Sequence, residues 1–138
     1  MMNKIYKLII DFFMRNKTMN DDEKYNEKGL EYFKAKQYEK ALENFNKAIN
    51  IKNDNADYYR NRAYCYYEMK QFELGDKDFN EASLCEEIET ALNSIYADRF
   101  VTDVDNERYL QTLIKYKEDP RFAERIKKIL KLPICKPM

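Results

Sequence analysis

The sequence lacks two residue types entirely and has little of two others. Its 138 residues include no histidine, no tryptophan, two glycines and three prolines. Without histidine, the chain cannot form a Ser-His-Asp triad or a zinc or haem site with imidazole ligands. Two isolated glycines cannot build a phosphate-binding loop, and β-sandwiches and nucleotide-binding sheets need many more tight turns. We therefore predict a helical, non-enzymatic protein with no catalytic residues, metal or cofactor.

Net charge is also absent, since 25 Lys and Arg residues balance 25 Asp and Glu residues. No overall positive field exists to attract nucleic acid, so we expect no nucleic-acid partner. Hydrophobic residues make up 44% of the chain and charged residues 36%, which is typical of one folded domain with a core. The charge is unevenly distributed, however, because residues 56–89 hold four basic and nine acidic residues.

Three widely spaced cysteines, Cys65, Cys85 and Cys135, do not form the pattern of a disulfide framework or a metal knuckle. We expect reduced thiols in a cytoplasmic protein, with two of them packed as small apolar side chains. The last four residues, starting at Cys135, have the length of a prenylation motif. The two aliphatic residues of that motif are, however, replaced by Lys136 and Pro137. We interpret residues 133–138 as a tail and leave open whether Cys135 is modified.

A repeat with a period of 34 residues is the strongest signal in the sequence. KQYE at residues 36–39 recurs as KQFE at 70–73, and FNKA at 45–48 recurs as FNEA at 79–82. A fixed period of this size indicates stacked units of supersecondary structure. Apolar residues follow helical spacing before and after each KQ pair, so each unit is predicted to be two amphipathic helices joined by a short turn.

The small and large residues of these units are placed as in a known family. Residues 22–55 carry Tyr25, Gly29, Tyr32, Tyr38, Ala41, Phe45 and Ala48, and residues 56–89 carry Tyr59, Ala63, Tyr66, Phe72, Phe79 and Ala82. This pattern resembles the tetratricopeptide repeat (TPR) family. The resemblance implies an all-α, right-handed superhelix of helix-turn-helix repeats. Gly75 replaces the alanine usual in the family, and we expect it to cost about 1 kcal/mol inside a helix.

Residues 90–132 resemble the family more loosely. We interpret residues 90–117 as a degenerate third repeat and residues 120–132 as a capping helix that begins at Pro120. The capping helix is expected to bury Phe122, Ile126, Ile129 and Leu130, and to turn Arg121, Arg125 and Lys128 to solvent. The chain is thus divided into an N-terminal apolar helix (1–20), a TPR domain (21–132) and the tail.

The resemblance also implies where a partner binds. Members of the family line the concave face of the superhelix with the first helix of each repeat and hold a peptide or helix there. The matching candidate contacts in this sequence are Asn26, Leu30, Phe33, Arg60, Asn61, Tyr64 and Tyr67. Aromatic side chains beside one arginine are good anchors for such a groove. We expect a protein-binding adaptor, and the acidic second repeat favours a basic or apolar partner over an acidic one.

A co-chaperone-like adaptor is a second hypothesis for the function. Some members of the family clamp acidic C-terminal carboxylates with Lys and Asn in the first repeat, Asn in the second, and Lys and Arg in the third. Only Asn61 matches this set, because the remaining four positions hold Asn26, Leu30, Ala91 and Ile95. The sequence therefore argues against a carboxylate clamp.

The N-terminal segment is strongly apolar and lies outside the repeats. Over residues 3–15, charged side chains fall on one narrow helical stripe and apolar side chains cover nearly all the rest. The run is far shorter than the ~20 apolar residues that span a bilayer. Three interpretations stay open: packing on the chain's own repeats, docking to a partner within a larger assembly, or lying on a membrane surface. The candidate docking residues are Ile5, Leu8, Ile9, Phe12 and Phe13.

Overall fold

A computed structural model describes residues 3–15, 18–97 and 103–131 of the chain. Those residues form seven α-helices and no β-strand, which confirms the prediction of an all-α fold. The helices are α1 (Lys4–Arg15), α2 (Asp21–Lys34), α3 (Tyr38–Ile51), α4 (Ala56–Glu68), α5 (Phe72–Ala97), α6 (Asp103–Lys115) and α7 (Ala123–Leu130). The predicted tail, with Cys135, lies outside the described residues.

Helices α2 and α3 pair as one unit, and α4 pairs with α5 as the second. The two units contain the same turn. Lys36 and Lys70 both have a φ of 58°, in the left-handed region. One residue later, the Gln37 N–H donates to the Tyr32 carbonyl at 2.9 Å, and the second unit repeats this bond at 2.8 Å. This arrangement ends a helix while it satisfies the last carbonyl groups.

Both glycines of the chain allow an aromatic ring to lie directly on a helix backbone. A Cβ atom added to Gly29 would be 2.5 Å from Cε1 of Phe45, and one added to Gly75 would be 2.5 Å from Cδ2 of Tyr67. Because carbon atoms do not pack so closely, an alanine at either position would force the ring to move. Gly75 therefore makes room for Tyr67, in addition to any cost it brings to the helix.

Helix α5 is longer than the repeat pattern predicts. It runs for 26 residues without interruption, so the predicted helix break near residue 90 does not occur. Gly75 and Pro120 are the nearest helix-breaking residues on either side of that position. Cys85, Ile88 and Leu92 are fully buried at helical spacing, so the apolar stripe continues across the predicted boundary. The end of α5 replaces a separate first helix for the third repeat, and α6 and α7 both pack against α5.

The C-terminal helix α7 covers the last repeat with the apolar face that the sequence predicts. Phe122, Ile126 and Ile129 are fully buried in the same cluster as the end of α5. The helix begins three residues later than Pro120, because residues 120–122 first form a turn. In that turn the backbone N–H groups of residues 122 and 123 both donate to the carbonyl of Asp119, at 3.0 and 2.9 Å.

Two arginines of the C-terminal cap form ion pairs with carboxylates of α5. Arg121 donates to Glu81 at 3.0 Å and to Asp119 at 2.7 Å, and its side chain is only 15% exposed. Arg125 donates to both carboxylate oxygens of Glu89. The prediction of a solvated basic face is therefore wrong for Arg121, whereas Arg125 is ion-paired but keeps 42% of its side chain exposed. Glu81 and Glu89 both lie on α5, so the ion pairs fix α7 against that helix.

The buried side chains form two clusters. The larger one joins the second repeat to the C-terminal cap, and the smaller one contains Ala41, Phe45 and Cys65 of the first two repeats. Cys65 and Cys85 are both fully buried, which confirms that they pack as small apolar side chains. Burial raises the pKa of the Cys65 thiol to about 12 and that of Cys85 to about 11. Both thiols therefore remain protonated and unreactive at neutral pH.

Helix α1 belongs to neither buried cluster. Its side chains Ile5, Leu8, Phe12 and Phe13 are 63–69% exposed. The interpretation that this helix packs on the chain's own repeats is therefore wrong for the residues that the structure describes. None of the described helices, α1 included, is long and apolar enough to cross a membrane.

Candidate partner-binding face

The first helices of the two repeats, α2 and α4, lie next to each other. Two hydrogen bonds join them: Asn61 Nδ2 donates to Asn26 Oδ1 at 2.9 Å, and the Tyr58 hydroxyl donates to Asp22 Oδ2 at 2.7 Å. The predicted contact residues of both repeats therefore belong to adjacent helices. We call these residues the α2–α4 face, namely Asn26, Leu30, Phe33, Arg60, Asn61, Tyr64 and Tyr67.

The bond between Tyr58 and Asp22 sets the spacing of α2 and α4 at the start of both helices. Asp22 lies in the first turn of α2, where a carboxylate also interacts favourably with the helix dipole. Both side chains are buried. Burial and the hydrogen bond to Asp22 raise the pKa of Tyr58 above its ordinary value, so the hydroxyl stays protonated and keeps donating.

The polar centre of the α2–α4 face is the pair Asn26 and Asn61. Both side chains are half-buried, and the sequence predicts them as separate contacts. In the structure, the amide nitrogen of Asn61 donates to the amide oxygen of Asn26. Each amide retains further hydrogen-bonding capacity, since an asparagine side chain carries both a donor and an acceptor group. The pair therefore suits the recognition of a peptide backbone.

Arg60 is not a free cation on this face. It donates to Asp57 at 2.6 Å, one turn earlier on α4, and also to Glu86 of α5. Its side chain is 29% exposed. The two carboxylates compensate the positive charge of Arg60, so an acidic partner would have to compete with them.

The two predicted tyrosines have different environments. Tyr64 is 49% exposed, and its ring packs edge-on against Phe79 with the ring centres 5.3 Å apart. Tyr67 is more buried, because its ring lies on Gly75 and contacts both Phe72 and Phe79. Its hydroxyl donates to Asp76. Tyr64 is therefore an available aromatic anchor, whereas Tyr67 contributes mainly to the packing of α4 on α5.

The apolar candidates of the first repeat, Leu30 and Phe33, are half-buried against the smaller cluster. Phe33 packs edge-on against Tyr38 with a centroid distance of 5.5 Å. Thirty-four residues later, Tyr67 and Phe72 make the same contact at 5.6 Å. Phe33, like Tyr67, therefore stabilises its repeat and offers only part of its surface to a partner.

An acidic depression lies between the N-terminal ends of α2 and α4. It is lined by Met19, Glu23, Asn26, Glu27, Asn55, Asp57 and Tyr58. The sequence does not predict Glu27 and Met19 as site residues. The position of Glu27 beside Asn26 on α2 is evident from the sequence, but the contribution of the inter-repeat loop at Asn55 depends on the packing of the helices.

Arg62 is a second residue whose role the repeat pattern does not reveal. Its Nε and Nη2 atoms donate to the two oxygens of Asp78 at 2.6 and 2.7 Å, and its Nη1 atom donates to Asn46 at 2.8 Å. Tyr59 and Tyr66 lie close to the guanidinium, at 5.7 and 5.9 Å from their ring centres. Arg62 thus connects α3, α4 and α5 behind the α2–α4 face.

Comparison with known families agrees with this geometry. Residues 29–70 match the family model described as TPR repeat, and this range covers part of α2, all of α3 and all of α4. This part of the chain is therefore similar to a tetratricopeptide repeat. Such repeats generally mediate protein–protein interactions and are typically non-enzymatic modules. No match was found among the curated proteins or the solved structures.

Proposed function

We propose that this TPR protein is a non-enzymatic adaptor that holds a segment of a partner protein on the α2–α4 face. The observation that carries the proposal is the half-exposed ring of Tyr64, which is supported by Phe79 and lies one helical turn after Asn61. An aromatic anchor beside backbone-binding amides is an effective arrangement for peptide recognition.

The charges of this region favour a basic or apolar partner. Glu23, Glu27 and Asp57 contribute carboxylates to the depression beside Asn26, and Asp57 and Glu86 already compensate Arg60. A lysine or arginine of a bound segment would be attracted to the depression, and a carboxylate would be repelled. Apolar side chains of the same segment would contact Tyr64.

Selection from a random peptide library, with the full chain as bait, tests this proposal. Selected peptides are expected to carry Lys or Arg beside an aromatic or aliphatic residue. Tyr64→Ala is expected to weaken their binding about tenfold or more. The matched control, Tyr6→Ala, removes an exposed tyrosine from α1 and is expected to leave binding unchanged. If the two variants bind equally well, the α2–α4 face is the wrong surface.

A chaperone with an acidic C-terminal tail receives less support as the partner. Asn61, the one residue that matches the carboxylate clamp, donates to Asn26, and its neighbour Arg60 is paired with Glu86. Titration with acidic tail peptides is expected to show no saturable binding. We also propose a reducing compartment such as the cytoplasm, which the buried and unpaired thiols of Cys65 and Cys85 support.

A further inference from the structure

The apolar side of α1 is a large surface that the repeats leave uncovered. Leu8, Phe12 and Phe13 are 64–69% exposed, and Ile9 is 47% exposed. Phe12 and Phe13 contact each other edge-on, at 6.2 Å between ring centres. Contiguous exposed apolar side chains of this size mark an interaction site.

The charged side of α1 is narrow and mainly basic. At 100° per residue, the four charged positions of α1 fall within an arc of roughly 80°, which leaves an apolar arc of roughly 240°. Three of these charged residues are basic, and only Asp11 is acidic. A helix that packs on a protein core needs an apolar stripe of only about 100°, so this arc is much wider than such packing requires.

We propose that α1 lies in the plane of an anionic lipid surface and anchors the repeats there. The apolar arc would enter the boundary between headgroups and acyl chains, and Lys4 and Lys7 would reach the anionic headgroups from the opposite side of the helix. The helix is 12 residues, or about 18 Å, long. That length is less than the ~30 Å of a hydrocarbon core, so the helix axis would run parallel to the membrane.

A second copy of this chain is a less suitable occupant. Twelve residues provide fewer than two heptads, whereas a coiled coil sustains its seam over about three to four. Apart from Asp11, the α1 helix of a second copy also offers no negative charge to the basic stripe, whereas an anionic lipid surface complements it. Charge complementarity and the width of the apolar arc therefore both favour lipid.

Flotation of the full chain with lipid vesicles tests the proposal. Vesicles of phosphatidylcholine with one third phosphatidylserine are expected to carry the protein upward, and vesicles of phosphatidylcholine alone to carry much less. Leu8→Ser with Phe12→Ser is expected to lower the partition coefficient at least tenfold, because both exposed apolar side chains are lost. Lys4→Glu with Lys7→Glu is expected to lower it about tenfold on anionic vesicles only.

Two matched controls separate α1 from the rest of the surface. Ile114→Ser removes an exposed apolar side chain of α6, and Lys127→Glu with Lys128→Glu reverses two exposed charges of α7. Both controls are expected to float like the wild type. The proposal is overturned if the α1 variants float as well as the controls, or if the folded wild type binds no anionic vesicle. It is also overturned if light scattering shows that the α1 variants abolish a stable dimer while vesicle binding is unchanged.

Discussion

The ion pair between Arg62 of α4 and Asp78 of α5 gives a sharp prediction about what holds the second repeat together. Asp78 is only 3% exposed, and Arg62 donates to both of its carboxylate oxygens at 2.6 and 2.7 Å. Arg62→Met keeps the apolar part of the side chain but leaves the carboxylate buried without its cation. Breaking a buried pair in this way costs about 3–5 kcal/mol. With an m value of about 2 kcal/mol/M, the urea midpoint is expected to fall by roughly 2 M.

Urea unfolding followed by circular dichroism measures this loss in a double-mutant cycle. Asp78→Leu in the Arg62→Met background is expected to restore most of the stability, because two apolar side chains can replace a buried ion pair. Lys47→Met is the control, since it breaks an exposed ion pair with Glu43 and is expected to leave the midpoint unchanged. A midpoint for Arg62→Met within about 0.5 M of the wild type, at an equal m value, would refute the reasoning.

Three further predictions concern single positions. Tyr58→Phe is expected to destabilise by about 2 kcal/mol in urea unfolding, because Asp22 loses its buried donor; no loss would contradict this role. Lys70→Gly is expected to stabilise by about 0.5–1 kcal/mol, because glycine adopts a φ of 58° without strain; a lower midpoint would contradict the turn geometry. The hydrogen bond from Arg121 lowers the pKa of Asp119 below its ordinary value of 3.8. The ion pair therefore stabilises the fold fully above pH 3.8, and this contribution is lost as the pH falls through the lowered pKa. The stability gap between the wild type and Arg121→Met is therefore expected to shrink below about pH 4, and a constant gap would contradict this linkage.

The first two repeats are predictable from the sequence because their contacts are local. The 34-residue period places the same residue types at the same helical positions, and the structure repeats the details. Both turns use a lysine with a φ of 58°. The ring contact between Phe33 and Tyr38 recurs between Tyr67 and Phe72 with nearly the same distance and angle.

The third repeat is less predictable because the 34-residue period does not show whether a helix actually ends at the boundary between two repeats. No glycine or proline stands near residue 90, and the buried stripe from Cys85 to Leu92 continues the helix. Family spacing predicts a boundary there, but local propensity and packing both favour one long α5. The long helix then supplies Glu81 and Glu89 to Arg121 and Arg125, so part of the basic face predicted for the C-terminal helix is ion-paired with α5.

In the candidate site, too, the sequence predicts which helix each residue lies on but not the tertiary contacts that it makes. The period correctly places Asn26 and Asn61 on neighbouring helices, but their hydrogen bond depends on tertiary packing. The pairing of Arg60 with Glu86 joins residues 26 positions apart on different helices, which no local pattern encodes. For the same reason, the sequence does not distinguish the exposed Tyr64 from Tyr67, whose ring lies on Gly75.

The central claim is that a partner segment binds the α2–α4 face, and amide chemical-shift mapping tests it most directly. The isotope-labelled full chain would be titrated with the tightest peptide from the library selection. We expect the largest shifts at residues 26–33 and 60–67, with saturation at one peptide per chain. Large shifts confined to α1 or to α6 and α7, with α2 and α4 unchanged, would contradict the claim.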